Sequence, residues 1–499
     1  MLVIPQSALT DGNHVYYVWA KDAAGRTSAS EPISFTVDKT PPEIEVNALS
    51  NNGLYTEANV TNLDTTARTA KYSIAGSWSD AVSGTETLQY TRNANPTELT
   101  AEGEDPAAAW VTIPLSDKAA GVKLSWTNLI DVTESSGNTI AFRAKDTAGN
   151  ITASDGYKLF TGITFDFSLP VITLTQRPAT QTKEQVTIGG TVEDKLALSK
   201  GNISIVVTKG TEAQTVTPTI TETTTGKAYS FDLTIPANAD HSNDGDWTVT
   251  IGAKDGAGRD AVQQKVAVKI DTTAPSVEKP TLSTSKGSEK DSVYYFNGSD
   301  IPTVAVSASD SGTGIASVAY GIVSGTATAW SDSLVLKNIT ESADKWTAMQ
   351  MDSSVSDRFK VNVTDFNTLG EGDYVVFVRV IDSVGNTAYS EGYRVCNDKT
   401  LPVLEETGAG DKPVDATGRS FDSGTFTLTG TVSDSNYKEL TVTRDTIDGA
   451  APVLTVANGT WTLKQDVADD EQSHTYTYTL TAIDYAGNEA YINGRTVEI

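Results

Sequence analysis

Residues 268–277 read VKIDTTAPSV, and the same phrase returns as FTVDKTPPEI (35–44), ITFDFSLPVI (163–172) and VCNDKTLPVL (395–404). Each is an apolar strand-like run, an Asp, a Ser or Thr two places on, a Pro two places after that, and a second apolar run. Pro42, Pro170, Pro275 and Pro402 fix φ and bias the preceding residue to extended geometry. Each phrase therefore reads as a stiff junction between two strands.

A second motif precedes each junction and also closes the chain. It reads WAKDAAGR at Asp22, RAKDTAGN at Asp146, GAKDGAGR at Asp255, RVIDSVGN at Asp382 and TAIDYAGN at Asp484. Backwards from each Asp in steps of two stand Ala20, Val18, Tyr16; Ala144, Phe142, Ile140; Ala253, Ile251, Val249; Val380, Val378, Val376; and Ala482, Leu480, Tyr478. An apolar period of two is a half-buried strand, not a helix. The D-x-x-G-[N/R] tail is a tight turn: Gly supplies positive φ, and Asp bonds the backbone two residues on. A strand, a turn and a second strand make a closing hairpin.

A third motif ends an earlier strand at Asp80 (GSWSD), Asp194 (GTVED), Asp310 (SASD) and Asp434 (GTVSD). The closing Asp residues are separated by 124 (146−22), 109 (255−146), 127 (382−255) and 102 (484−382) residues. Short strands with turn signals and about 100 residues per unit predict antiparallel β-sandwiches with Greek-key connections. The boundaries fall at 1–37, the closing hairpin of a truncated domain, then 38–165, 166–270, 271–397 and 398–499. Repeats 38–165 and 271–397 form a longer subtype, in which LQYTRN with Trp110 parallels VAYGIV with Trp330. The chain stops at TVEI, where a further junction Asp is due, so both ends read as cut from a longer array.

The ordered recurrence of the three motifs resembles bacterial immunoglobulin-like domains, the tandem modules of large bacterial surface proteins. The resemblance covers essentially the whole chain, without the antibody hallmark of paired cysteines with a core Trp. It implies an all-β fold of tandem immunoglobulin-like sandwiches in an elongated array, at the bacterial surface or outside the cell.

On that topology the junction Asp enters strand A, the second Asp sits in the B–C turn and the third in the F–G turn, all at one pole. The sets are Asp38, Asp80, Asp146; Asp166, Asp194, Asp255; Asp271, Asp310, Asp382; and Asp398, Asp434, Asp484. Crowded carboxylates repel unless protonated or neutralised, and calcium takes carboxylate oxygens. Each set is therefore a candidate calcium site that would stiffen the joint. The competing reading is local, since Asp caps turns without any ion.

A net charge of −27 repels phosphate backbones, so nucleic acid is not an expected partner. No run of about 18 apolar residues suggests a membrane helix. The three His residues, His14, His241 and His474, fall in different repeats, and the single Cys396 precludes an intrachain disulfide, so no catalytic constellation is expected. Trp110 and Trp330 are candidates for stacking on sugar rings, against the commoner fate of packing in the fold. The expectation is a non-catalytic stalk of a surface adhesin, touching neighbouring immunoglobulin-like domains of its own chain and a surface protein or glycan of another cell. Two alternatives are spacer or sugar-binding modules of a secreted polysaccharide-active enzyme, and a subunit of a filament, surface layer or phage fibre.

Overall fold

The period-two runs become strands in the computed structural model, which describes residues 3–93, 110–152, 157–326, 328, 346–409, 419–420, 425–445, 450–466, 472 and 474–498. Branched Val, Thr and Ile fill those strands because their side chains suit a pleated surface. Among the described residues the helical pieces are 3-10 turns of three to five residues.

Compactness divides the chain into two units. The first comprises residues 1–178, 187–235 and 247–267, and the second residues 179–186, 236–246 and 268–499.

In the 38–165 region, one sheet is built on Thr69–Ser79, which pairs with Glu43–Val46, Val60–Asp64 and Lys123–Thr133. The facing sheet runs Leu54–Tyr55, Lys158–Phe165, Ser135–Asp146, Thr85–Arg92 and Val111–Ile113. Ile74, Trp78, Ile130, Phe142 and Phe165 fill the space between them. The 166–270 region repeats the plan, with sheets Val171–Gln176, Val186–Glu193, Ala228–Ile235, Thr219–Thr224 and Gln181–Thr182, Gln264–Ile270, Gly245–Ala253, Ile203–Lys209, Glu212–Gln214. In 271–397, Thr303–Ser309 and Arg358–Asn362 face Tyr393–Asn397, Gly372–Asp382 and Ile315–Ser324 across Val304, Phe359, Phe366 and Val378. In 398–498, Thr425–Ser433 and Thr460–Asp466 face Glu489–Glu498, Thr475–Asp484 and Tyr437–Arg444 across Trp461, Leu463 and Tyr478.

The closing strands behave as their period demands. All twelve apolar positions of the four complete sandwiches, from Ile140 to Ala482, are buried. The amino-terminal hairpin, Gly12–Tyr17 with Pro32–Val37, differs: Val18 is 60% exposed and Ala20 is exposed. A two-stranded ribbon has no facing sheet to cover it.

A short parallel strand leads to each following joint. Leu54–Tyr55, Gln181–Thr182, Val293–Phe296 and Arg419–Ser420 each pair in parallel with the last strand of their own sandwich. The Asp that follows that last strand donates its amide into the same ladder: Asp166 N to Tyr55 O, Asp271 N to Thr182 O and Asp398 N to Phe296 O, each at 2.9 Å. The junction Asp thus extends the ladder of one sandwich just past its last strand and faces the next.

The tandem motifs explain one packing feature. The Gly of GSWSD and GTVSD stands under an aromatic ring: a Cβ on Gly76 would lie 2.7 Å from Trp126, and one on Gly430 2.3 Å from Trp461. Trp126 and Trp461 are accordingly core residues.

Candidate junction sites

Each turn Asp first serves its own turn. Asp80 Oδ1 accepts the amides of Val82, Ser83 and Gly84 at 3.1, 2.8 and 2.7 Å. Asp146, Asp382 and Asp484 Oδ1 accept the amides of Asn150, Asn386 and Asn488 at 2.7–2.8 Å. The local turn-capping reading of these residues therefore holds.

Convergence holds as well for three sets. Asp38, Asp80 and Asp146; Asp271, Asp310 and Asp382; and Asp398, Asp434 and Asp484 each bring three carboxylate oxygens within 4.8 Å of one another. Asp146 and Asp484 are fully buried, and Asp310 is half-buried. Burial pushes Asp434 and Asp484 above the ordinary carboxylate range, with Asp398 adding to the rise, against the bonds from Asn436 and Asn488. Ligands on opposite sides of one calcium ion stand about 5 Å apart, so a trio of this size fits one such ion.

Asp166, Asp194 and Asp255 are not among the sets that gather in this way. Arg259 reaches in from the turn, its Nη2 lying 2.6 Å from Asp166 Oδ1 and 2.9 Å from Asp255 Oδ2. The expected metal position at this joint carries a guanidinium.

The last residue of the turn decides the local bonding. Asn150, Asn386 and Asn488 each donate from Nδ2 to their turn Asp and to the carbonyl of Asp38, Asp271 or Asp398, the latter at 3.1, 2.9 and 2.9 Å. The D-x-x-G-N turn is thereby tied to the start of its own sandwich.

One element of the joint was missed in the sequence. An acid just before the strand leading to each closing Asp holds the residues that follow the next junction Asp. Asp11 accepts Lys39 N at 3.0 Å and Thr40 Oγ1 at 2.5 Å. Glu134 Oε1 accepts Phe167 N, Ser168 N and Ser168 Oγ at 3.0, 2.8 and 2.5 Å. Asp244 accepts Thr272 N and the hydroxyls of Thr272 and Thr273 at 3.0, 2.7 and 2.6 Å. Glu371 accepts Lys399 N at 3.1 Å and Thr400 Oγ1 at 3.4 Å. The Ser or Thr of D-x-[ST]-x-P is thus explained by an acid of the preceding module. A signal was available: these acids stand 11 (22−11), 12 (146−134), 11 (255−244) and 11 (382−371) residues before the closing Asp. Three of them precede a Gly whose φ is +124° to +138°, a conformation disfavoured for side chains other than Gly.

Turns also touch the preceding module directly. Arg259 Nη1 pairs with Glu57. Lys183 Nζ donates to Gly385 O at 2.8 Å, and Ser288 donates through N and Oγ to Tyr485 O at 2.9 and 3.0 Å.

Of the two Trp candidates, Trp110 has one ring face against the Arg143 guanidinium, 4.1 Å from the centroid, and Tyr157 at its edge. Trp330 lies outside the described residues. Trp346 likewise stacks on an arginine, Arg379, at 4.6 Å and precedes a short edge strand. Burial pushes the Cys396 thiol up to about 12, with Asp373 and Asp398 adding to the rise. No described helix is long and apolar enough to cross a membrane.

No family model matches the chain, and no curated protein matches it. Solved structures of tandem domains do. A tetra-tandem repeat in the extending region of a large adhesion protein is 18% identical, covering 89% of this chain and 97% of that one, at a TM-score of 0.29. A structure described for host cell surface retention of a 1.5-MDa bacterial ice-binding adhesin is 16% identical, covering 72% and 100%, at 0.25. The I-band fragment I67–I69 of titin is 11% identical, covering 66% and 98%, at 0.26. The sheet order and register described above define this chain as tandem immunoglobulin-like sandwiches.

Proposed function

We propose that this chain is a non-catalytic spacer segment of a bacterial extracellular, adhesin-like protein, with successive modules fastened at joints of which three take calcium. The observation that carries the reading is the clustering of two devices at three of the four joints. The acid of the preceding module grips the residues after the junction Asp, and at Asp38, Asp271 and Asp398 the junction Asp meets the two turn carboxylates of the following module. A joint built from both neighbours resists bending, whereas a free linker would leave those groups in water. The trios of Asp38, Asp271 and Asp398 supply hard oxygen ligands of the kind calcium takes, with backbone oxygens and water completing its shell. The resemblance of the three motifs to bacterial immunoglobulin-like modules supports the surface location.

Thermal unfolding of the 499-residue chain, with chelator and with millimolar calcium, tests the ion. A melting temperature that rises with calcium supports the reading, and one unmoved by either addition overturns the calcium part. Small-angle scattering in the same buffers tests the spacer. A maximum dimension that stays fixed and long in calcium supports it, and a collapsed or broadly distributed particle retires it.

A further inference from the structure

We propose that Arg259 is the built-in cation of the joint at Asp166, so that this joint holds without a metal ion while the three asparagine-bearing joints use one. The second half of this statement rests on the calcium reading above; the first half stands on Arg259 itself.

The turns that carry Asn150, Asn386 and Asn488 end in a neutral amide, which brings no positive charge to the three carboxylates gathered there. The turn at Asp255 ends in Arg259. Its Nη2 lies 2.6 Å from Asp166 Oδ1, 2.9 Å from Asp255 Oδ2 and 2.5 Å from Ser168 O. Its side chain is 15% exposed. A planar guanidinium suits this position because one fork can face several oxygens at once. Asp194 adds a buried Oδ2 without a hydrogen-bond partner, so the joint needs every positive charge it has. Burial, with Asp194 and Asp255 adding, pushes Asp166 up to about 6 even with Arg259 beside it.

The preceding module carries a matching change. Where the turn ends in Arg259, the residue it meets is Glu57. At Asn386 the preceding module presents Lys183 to the turn, and at Asn488 it presents Lys286 and Lys290. An acid faces the arginine turn and lysines face the turns of Asn386 and Asn488, so at these three joints the charge of the turn and of its dock change together.

The test uses the full chain and chymotryptic cleavage at Phe167, beside melting curves, in chelator and then in millimolar calcium. Wild type is expected to resist cleavage there equally in both buffers. Arg259→Asn is expected to be cut about tenfold faster or more in chelator, because a buried ion pair loses its partner. Calcium is expected to restore resistance. Resistance of Arg259→Asn equal to wild type in chelator overturns the proposal. Sensitivity without calcium rescue upholds the arginine lock and counts against calcium at the other joints. Asn150→Arg provides the reciprocal arm and spares the Asp166 joint. It should make tryptic cleavage at Lys39 insensitive to chelator, and continued calcium dependence there would overturn the claim that this turn residue is the determinant.

Discussion

Asn488 spans 90 residues of chain to donate to the backbone carbonyl of Asp398 at 2.9 Å, while the same amide nitrogen holds Asp484 Oδ2 at 2.7 Å. This buried side chain joins the start of the last sandwich to its closing turn. Asn488→Ala should cost about 1–3 kcal/mol, since a buried carbonyl and a buried carboxylate oxygen lose their donor. Denaturant unfolding of the chain, followed by Trp461 fluorescence, should show the loss in the last module. An unchanged midpoint would mean that water replaces the amide.

Glu134 should matter more than its place in a polar run, TESSGN, suggests. Its Oε1 accepts two amides and a hydroxyl from Phe167 and Ser168, and Oε2 pairs with Arg68 at 3.0 Å. Glu134→Ala should destabilise the joint by about 2–3 kcal/mol, the range for hydrogen bonds to a charged, buried acceptor. The expected readout is faster amide exchange at Phe167 and Ser168 with the flanking sheets unchanged. Exchange as slow as in wild type would show that the clamp contributes nothing.

The clamps set a direction for pH. Burial would raise Glu134, but the Ser168 hydroxyl, the amides of Phe167 and Ser168 and Arg68 hold it below its ordinary 4.5. Burial likewise opposes Asp244, yet the Thr273 and Thr272 hydroxyls and the Thr272 amide keep it below 3.8. A folded pKa below the unfolded one means that the native state binds fewer protons in acid. The stability these groups add is present above their unfolded values and is lost as pH falls through the folded ones. Protection of the Phe167 and Thr272 amides should stay flat down to about pH 5 and fall below about pH 4. Glu134→Gln should flatten the fall at Phe167, and protection that rises in acid would contradict the assignment.

Gly430 leaves no room for a methyl group. A Cβ there would lie 2.0 Å from the carbonyl oxygen of Glu405 and 2.3 Å from the Trp461 ring. Gly430→Ala should cost about 1–3 kcal/mol through overpacking. Calorimetry should show a lower melting temperature for the last module. A neutral result would mean that Trp461 repacks freely.

The strands, the closing hairpins and the repeated joints were legible because their causes are local. A period of two, a glycine with positive φ and an Asp that bonds its own turn act within a few residues, and they recur at intervals that mark out sandwiches. The gathering of Asp38, Asp80 and Asp146 was also legible, because the topology of such a sandwich brings those turns to one pole. The tertiary structure decided what surrounds each carboxylate. The grip of Glu134 on Ser168 joins residues 34 apart, and the approach of Glu57 to Arg259 joins residues 202 apart. Two turns alike in spelling, GAKDGAGR and RAKDTAGN, therefore differ in substance. One brings its own positive charge to the joint and the other leaves three buried carboxylates facing one another. Coulombic interaction and desolvation depend on distance through space, and that distance is set by how the modules pack.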